Sequence, residues 1–568
     1  MESRRVLSAT AASAPDAVVA SDLAATRRAR VAERWLIAAL LAAVTLCGFG
    51  LRVYKLSAES LSEDELNKLR AVEDYRRRGL TSTNGEHPML MKGLLTASVV
   101  MAERWNSSVL VSTHRALRIE PETALRLPGA LLGAFASSLI FLLVVELFGP
   151  GPALIAAALW AFDPSAIGFN RIAKEDTFFL FFFLLANIFW LRGQRVAETE
   201  ERNPEPFYWA TAAAFGAMIA SKYIPHLLAI SAGYYYIFQA LPQTRWRLGK
   251  RRWLIFFVVM GAVFLLCNPT IVLPDTWREM RAFAGERRIG HDAYEFMGQL
   301  YRNQMSLWLA GVPWTFYYVF MGVKLPLLTL VAFMIGLPLL FNRKLGDGRF
   351  FILFWFFFWF FPFTLLGGKF TRYFTFALPA VLITAAIGIE FSARFAARRF
   401  AAKNALCAAL ATMVVLCSLA AAVKAAPHYR LYTNALGGGL RQAGNYFPHD
   451  EFYDASVRDV ARWLANNAPP DAAVFSETPS LVAHYLALAG RDDLRSLSLS
   501  DRRALAGLRA GDALVIARGR RYFSNDVIAR RLQEQMAPAF VASLGEVPSA
   551  RVFVVDEAQA RALEELKD

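Results

Sequence analysis

Residues 61–93 read LSEDELNKLRAVEDYRRRGLTSTNGEHPMLMKG. Three acids stand in a row, Glu63, Asp64 and Glu65, and the pair His87-Pro88 follows, with Lys92 close behind. A carboxylate within hydrogen-bond reach of a hydroxyl can take its proton and turn it into a nucleophile. Further charges cluster at the ends of apolar runs: Arg171 and Asp176 in GFNRIAKEDT (168–177), Lys222 in ASKYIPH (220–226), Lys369 and Arg372 in GGKFTRYF (367–374). A charge at a membrane boundary is costly, so each needs a partner or a task. Cations outnumber acids in this set, which suits an anionic headgroup, most simply a phosphate. Each residue also has a plain structural reading. The acids can cap and open a helix over 65–78, Arg171 and Asp176 can form an interfacial ion pair, and the lysines can snorkel at span ends. Glu63, Asp64, Glu65 and His87 together could also hold a divalent cation, though no strong metal site is read.

The elements that must position these residues are apolar. The chain of 568 residues is 56% hydrophobic and only 19% charged, with a mean hydropathy of +0.33. Many runs approach the ~20 residues that cross a hydrocarbon core, which makes this an all-α polytopic membrane protein. Candidate spans are 35–51, 88–104, 127–147, 152–169, 177–191, 207–221, 224–241, 252–270, 313–340, 350–367, 372–391 and 404–423. The net charge of +15 does not point to nucleic acid, because Lys and Arg concentrate in short loops between the runs, the pattern of cytoplasmic loops. The four cysteines lie in apolar runs without metal-ligand or disulfide spacing. Basic loops at 27–34 and 244–252 must both lie inside, so an even number of crossings separates them. The charged run 88–104 is then a helix on the outer surface, and about eleven crossings remain. Residues 1–34 read as a disordered cytoplasmic tail and not as a cleaved signal. Residues 35–424 read as the membrane domain and 425–568 as a small extracytoplasmic α/β domain. In that domain strands are expected at 472–477, 513–519 and 551–557, with helices at 455–468 and 525–536.

The ordered set of motifs resembles the GT-C glycosyltransferases of the protein-O-mannosyltransferase and aminoarabinose-transferase type. The resemblance rests on Asp64-Glu65 in the first outer loop and on His87-Pro88-Met89-Leu90-Met91-Lys92, where Met89 replaces a second proline. RLPGALLG (126–133), RIAKED (171–176) and Ser221-Lys222-Tyr223 follow, then GHDAYEFMG (290–298), WTFYYVFMGVKLPLLTL (314–330), KFTRYFTFALP (369–379) and HYRLYTNALGGG (428–439). It implies a bacterial inner-membrane enzyme that moves a sugar from a polyprenyl-phosphate donor to a hydroxyl of a lipid, glycan or protein acceptor on the extracytoplasmic face, with inversion and without a cofactor. It implies Asp64 and Glu65 as catalytic residues. It implies His87, Lys92, Arg171, Asp176, Lys222, Tyr223, His291, Lys369, Arg372 and Tyr373 as donor and phosphate ligands. A transporter or flippase of lipid-linked sugars is the second reading, since it also needs charges in membrane cavities.

Overall fold

The computed structural model describes residues 14–200, 202–239, 249–285, 292–398, 400 and 402–564. Helix α1 (Ala14–Val53) enters the membrane region. It starts well before the expected tail boundary at residue 34, because the Ala- and Arg-rich stretch ahead of the apolar run is itself good helix former. Helix α2 (Glu63–Arg78) and helix α3 (Met89–Asn106) follow. The helix Pro121–Phe148 then packs against α1, α3, Pro150–Phe162 and Glu175–Arg195, which makes it the centre of the N-terminal half. The later half is built on Leu378–Ala397, whose core-facing residues meet Leu327–Leu339, Pro150–Phe162 and Lys403–Ala425.

Among the described residues six helices are long and apolar enough to cross a membrane: Val31–Val53, Pro121–Phe148, Glu175–Thr199, Gly348–Leu365, Leu378–Ala397 and Asn404–Ala425. The chain is a multi-pass membrane protein. Two expected spans are broken by proline. The run 152–169 is the pair Pro150–Phe162 and Pro164–Asn170, bent by 60°. Asp163 caps its second half by accepting from the Ala166 amide at 2.8 Å. The run 313–340 divides into Phe316–Lys324 and Leu327–Leu339 at Leu325-Pro326, because a residue before proline disfavours the helical region. The expected surface helix 88–104 is α3, and its Met91, Lys92, Leu95 and Val99 are buried.

The C-terminal part holds a five-stranded sheet. Strands β1 (Tyr294–Phe296) and β2 (Gln299–Tyr301) form a separate hairpin earlier in the chain. The sheet contains β3 (Ala473–Ser476), β4 (Arg495–Ser498), β5 (Ala513–Ala517), β6 (Phe540–Leu544) and β7 (Val547–Val554), in the order β4-β3-β5-β7-β6. β3 runs parallel to β4 and β5, whereas β7 is antiparallel to β5 and β6. The expected strands are β3, β5 and β7, and the expected helices are Val457–Asn467 and Asp526–Gln535. The sequence reading missed β4 and β6. Both are edge strands with few buried residues, so neither carries a continuous apolar run.

Candidate active site

The N-terminus of α2 is set by its sequence. Ser62 caps it, its Oγ accepting from the Glu65 amide at 3.3 Å while its own amide donates to Glu65 Oε2 at 2.9 Å. This reciprocal pair is a capping box. Glu63, Asp64 and Glu65 therefore occupy one helical turn and point in different directions. Glu65 is fully buried. It takes a two-pronged ion pair from Arg126, Nε at 2.8 Å and Nη2 at 2.7 Å, and accepts from the Ala173 amide at 3.0 Å. Burial opposes its charge, but Arg126 and these hydrogen bonds outweigh it and lower its pKa. Arg126 also donates to the carbonyls of Leu56, Glu59 and Ser60. The Arg of RLPGALLG thus holds the Glu of the acidic triplet together with the loop before it. In the same motif, a Cβ on Gly133 would lie 2.3 Å from Asn170 Cγ, so the glycine lets this helix meet the end of Pro164–Asn170.

Asp64 turns the other way, its side chain 37% exposed into a cavity of about 250 Å³. Lys174 Nζ lies 2.6 Å from its Oδ2, and the Tyr453 hydroxyl donates to the same oxygen. Burial opposes the charge on Asp64, but Lys174, Arg372 and Lys68 together override it and hold the carboxyl well below the usual range. Beside it Glu175, at the start of the helix Glu175–Arg195, pairs with Lys68 at 2.9 Å and meets His87 Nδ1 at 3.4 Å. Burial, more than Glu175 can offset, keeps His87 neutral with a pKa well below its ordinary value. Asp176 pairs with Lys222, whose ammonium lies 4.9 Å from the centre of the Tyr373 ring. Arg372 stacks on Phe370 at 4.0 Å and stands 3.5 Å from Asp450. Among the described residues, its Nη1 and Asp176 Oδ2 are buried without a hydrogen bond. Asp450 is itself occupied, accepting from the Tyr294 hydroxyl at 2.6 Å and the Thr371 amide at 2.8 Å.

Of the expected residues, Asp64, His87, Asp176, Lys222, Arg372 and Tyr373 line this one cavity. The others are placed elsewhere. Glu65 faces Arg126. Lys92 donates to the Asn84 carbonyl at 2.7 Å and holds the 82–87 loop from beneath, where burial pushes its ammonium down to about 7. Arg171 donates to the carbonyls of Arg52, Tyr54 and Lys55 and so ties off the end of α1. Tyr223 accepts from Asn268 at 2.8 Å, and Asn268 accepts from the Met89 amide at 2.8 Å. Lys369 is buried and donates to the Leu366 carbonyl, burial bringing it down to about 8. His291 lies outside the described residues. No three His, Cys, Asp or Glu side chains converge as a metal site among the described residues. The set Glu63, Asp64, Glu65 and His87 is divided by the turn of α2.

Among the described residues, the excess of cations expected on this face is not carried into the cavity. Its lining, among the described residues, has five carboxylates, Glu63, Asp64, Glu86, Glu175 and Asp176, against Lys174, Lys222, Arg372 and Arg520. Most of these charges cancel in pairs, and Arg372, with only a loose contact to Asp450, is the least committed. Sequence reasoning missed Lys174, Glu175, His449, Tyr453 and Arg520 as lining residues. KED (174–176) and the dense polar-aromatic stretch YFPHDEFYD (446–454) were the available signals. The stretch from His428 to Asp454 packs onto the loops and helix ends of the bundle: His428 and Arg430 on Glu59, Glu451 on Lys324, Asp450 on Arg372.

This arrangement, a helical membrane bundle with a charged cavity at the end that meets a small α/β sheet, is the GT-C glycosyltransferase fold. ArnT from Cupriavidus metallidurans in the apo state shares it with a TM-score of 0.50 and 13% identity, over 92% of this chain and 98% of that one. The archaeal oligosaccharyltransferase AglB from Archaeoglobus fulgidus, in complex with an inhibitory peptide and a dolichol-phosphate, matches with a TM-score of 0.51 and 11% identity, over 85% of this chain and 70% of that one. Residues 110–272 match the family of dolichyl-phosphate-mannose-protein mannosyltransferases, a segment that includes RLPGALLG, RIAKED and Ser221-Lys222-Tyr223. No curated protein matches the chain by sequence.

Proposed function

We propose that the protein is a membrane glycosyltransferase that moves a sugar from a polyprenyl-phosphate donor to an acceptor hydroxyl, with inversion, at the extracytoplasmic face of a bacterial inner membrane. The observation that carries this reading is the cavity that Asp64 and Arg372 both line, with Tyr453 between them, its hydroxyl donating to Asp64 and its ring 5.8 Å from the Arg372 guanidinium. The acceptor oxygen attacks the anomeric carbon. The bond from that carbon to the phosphate oxygen breaks, and the lipid phosphate leaves with the electron pair. Its growing charge is met by Arg372 and Lys222, cations fixed in place before the reaction. The acceptor proton passes to Asp64. A carboxylate this well stabilised is a weak base, so phosphate binding assists by drawing Arg372 toward the donor. Asp176 and His87 are placed to orient sugar hydroxyls. The dolichol-phosphate in the AglB structure supports a lipid-phosphate donor here. In this reading residues 35–424 form the catalytic membrane part, with about eleven crossings, the N-terminus cytoplasmic and 425–568 outside.

Turnover of a polyprenyl-phosphate sugar by Asp64→Asn tests the assignment. The expected loss is about 10²–10⁴-fold, the usual contribution of a general base, with donor binding retained. Arg372→Ala should instead raise the donor KM while the protein still inserts and folds. An Asp64→Asn enzyme that turns over normally removes Asp64 from the chemistry.

A further inference from the structure

We propose that the crevice over the carboxyl ends of β3, β4 and β5 is the acceptor subsite, and that it takes a hydroxyl-rich glycan bearing an anionic group. The proposal rests on the transferase reading above and names the substrate class that reading leaves open. The crevice has a volume of about 640 Å³, within the ~300–1,000 Å³ of ligand pockets. It lies where the strand order reverses, β3 having β4 on one side and β5 on the other. In open parallel sheets ligands bind outside the carboxyl ends of the strands at such a switch point.

The crevice adjoins the catalytic cavity. Arg520, just past the end of β5, lines both. It reaches Glu63 at 3.3 Å, one residue before Asp64, and its Nε donates to Asp454 at 2.7 Å. The approach is close by construction: Gly519 has φ +86°, and a Cβ there would lie 2.4 Å from the Pro448 carbonyl oxygen. In this proposal an extended acceptor seated in the crevice runs past Arg520 toward Asp64.

The lining sets the chemistry. Arg521 and Arg530 meet carboxylates, Glu295 at 3.1 Å and Asp526 at 3.0 Å. Arg518 differs: its Nη2 donates to the Gly444 carbonyl at 2.9 Å and to Asn445 Oδ1 at 2.6 Å, and among the described residues it makes no ion pair. A guanidinium with neutral partners keeps its charge for a phosphate or carboxylate on a ligand. Glu477, Gln533 and Glu534 add planar groups that can pair with neighbouring hydroxyls. A peptide acceptor is less suited, because β5, over which the crevice opens, is paired on both sides, with β3 and β7, and offers a peptide backbone no edge to join.

The test uses the full chain in nanodiscs, a polyprenyl-phosphate sugar as donor and cell-envelope glycan extract as acceptor. The soluble competitors are a hexose phosphate, the uncharged hexose and an acidic peptide. Arg518→Glu is expected to raise the acceptor KM by about ten-fold, a loss of about 1.4 kcal/mol, with kcat and donor KM unchanged. Hexose phosphate should compete with acceptor in the wild type and not in the variant, and the uncharged hexose should compete weakly in both. If Arg518→Glu melts early, Arg518→Gln removes the charge, keeps an amide donor toward Gly444 and Asn445, and should give the same KM shift. An unchanged acceptor KM in an active, folded variant overturns the subsite alone. Competition by the acidic peptide without competition by hexose phosphate overturns the glycan assignment. A wild type that consumes no donor overturns the transferase reading, and this one with it.

Discussion

At the scale of single residues, the acidic triplet divides its labour. Asp64 faces the cavity, and Lys174 is its closest cation, at 2.6 Å. Removing that cation by Lys174→Met should let burial raise the Asp64 pKa, and the acid limb of the pH–rate profile should move to higher pH. An unmoved limb would mean that another group titrates in the reaction. Glu65 is expected to matter for folding. Breaking a buried ion pair from one side costs about 3–5 kcal/mol, so Glu65→Gln should lower the melting temperature markedly. Pairing it with Arg126→Met should cost much less than the sum of the two single changes. Lys92 gives a third readout. Its ammonium is brought down to about 7 by burial, while the unfolded chain keeps that proton to about 10.4. Between those values the unfolded state binds more protons, so stability rises with pH through the window and is lowest below it. Lys92→Met should flatten that rise in melts taken from about pH 6.5 to 9.5.

At the scale of elements, the site depends on where helices end and how closely they approach. The pair Leu327–Leu339 and Leu378–Ala397 crosses at glycines. A Cβ on Gly388 would lie 2.0 Å from the Ala332 carbonyl oxygen, and one on Gly336 would lie 2.0 Å from that of Thr384. Small residues at such crossings let helix backbones touch, and dispersion then holds them in lipid. The helix Leu378–Ala397 starts directly after the segment carrying Arg372, so its position carries over to the site. Gly388→Leu should therefore lower both stability and donor affinity. A melting temperature equal to that of wild type would show that the crossing is looser than the backbone distances require.

At the scale of the whole molecule, charge in the loops and charge in the cavity address the same question of sidedness. Exposed Arg77 on α2 and exposed Leu488 in the sheet region flank the end of the bundle that holds the site, and exposed Lys344 lies in a basic turn between two apolar helices. Single cysteines at Arg77 and Leu488 should react with an impermeant label from outside intact cells. One at Lys344 should react only after the membrane is opened. Labelling of Arg77→Cys and Lys344→Cys from the same side contradicts the orientation.

The sequence by itself was enough for the polytopic helical class, the short motifs and their order, and three strands of the C-terminal sheet. Each of these is written in local hydrophobic period, local charge or local residue type, which need no partner to be read. It was also enough to gather Asp64, His87, Asp176, Lys222 and Arg372 as candidates, because charges at the ends of apolar runs are rare and costly, with Tyr373 added by the resemblance of its motif. What it left open was direction. Glu65 and Asp64 are neighbours in the chain, yet one turn of helix sends the first to Arg126 and the second to the cavity. Arg171, Lys92 and Lys369 look like ligands in the sequence but end on backbone carbonyls, because a buried helix end or loop must satisfy its polar groups from whatever side chain can reach. Tyr453 and Arg520 were illegible for the opposite reason. They stand about four hundred residues or more from Asp64 in sequence, and only the packing of the C-terminal segments onto the helix ends brings them to the cavity.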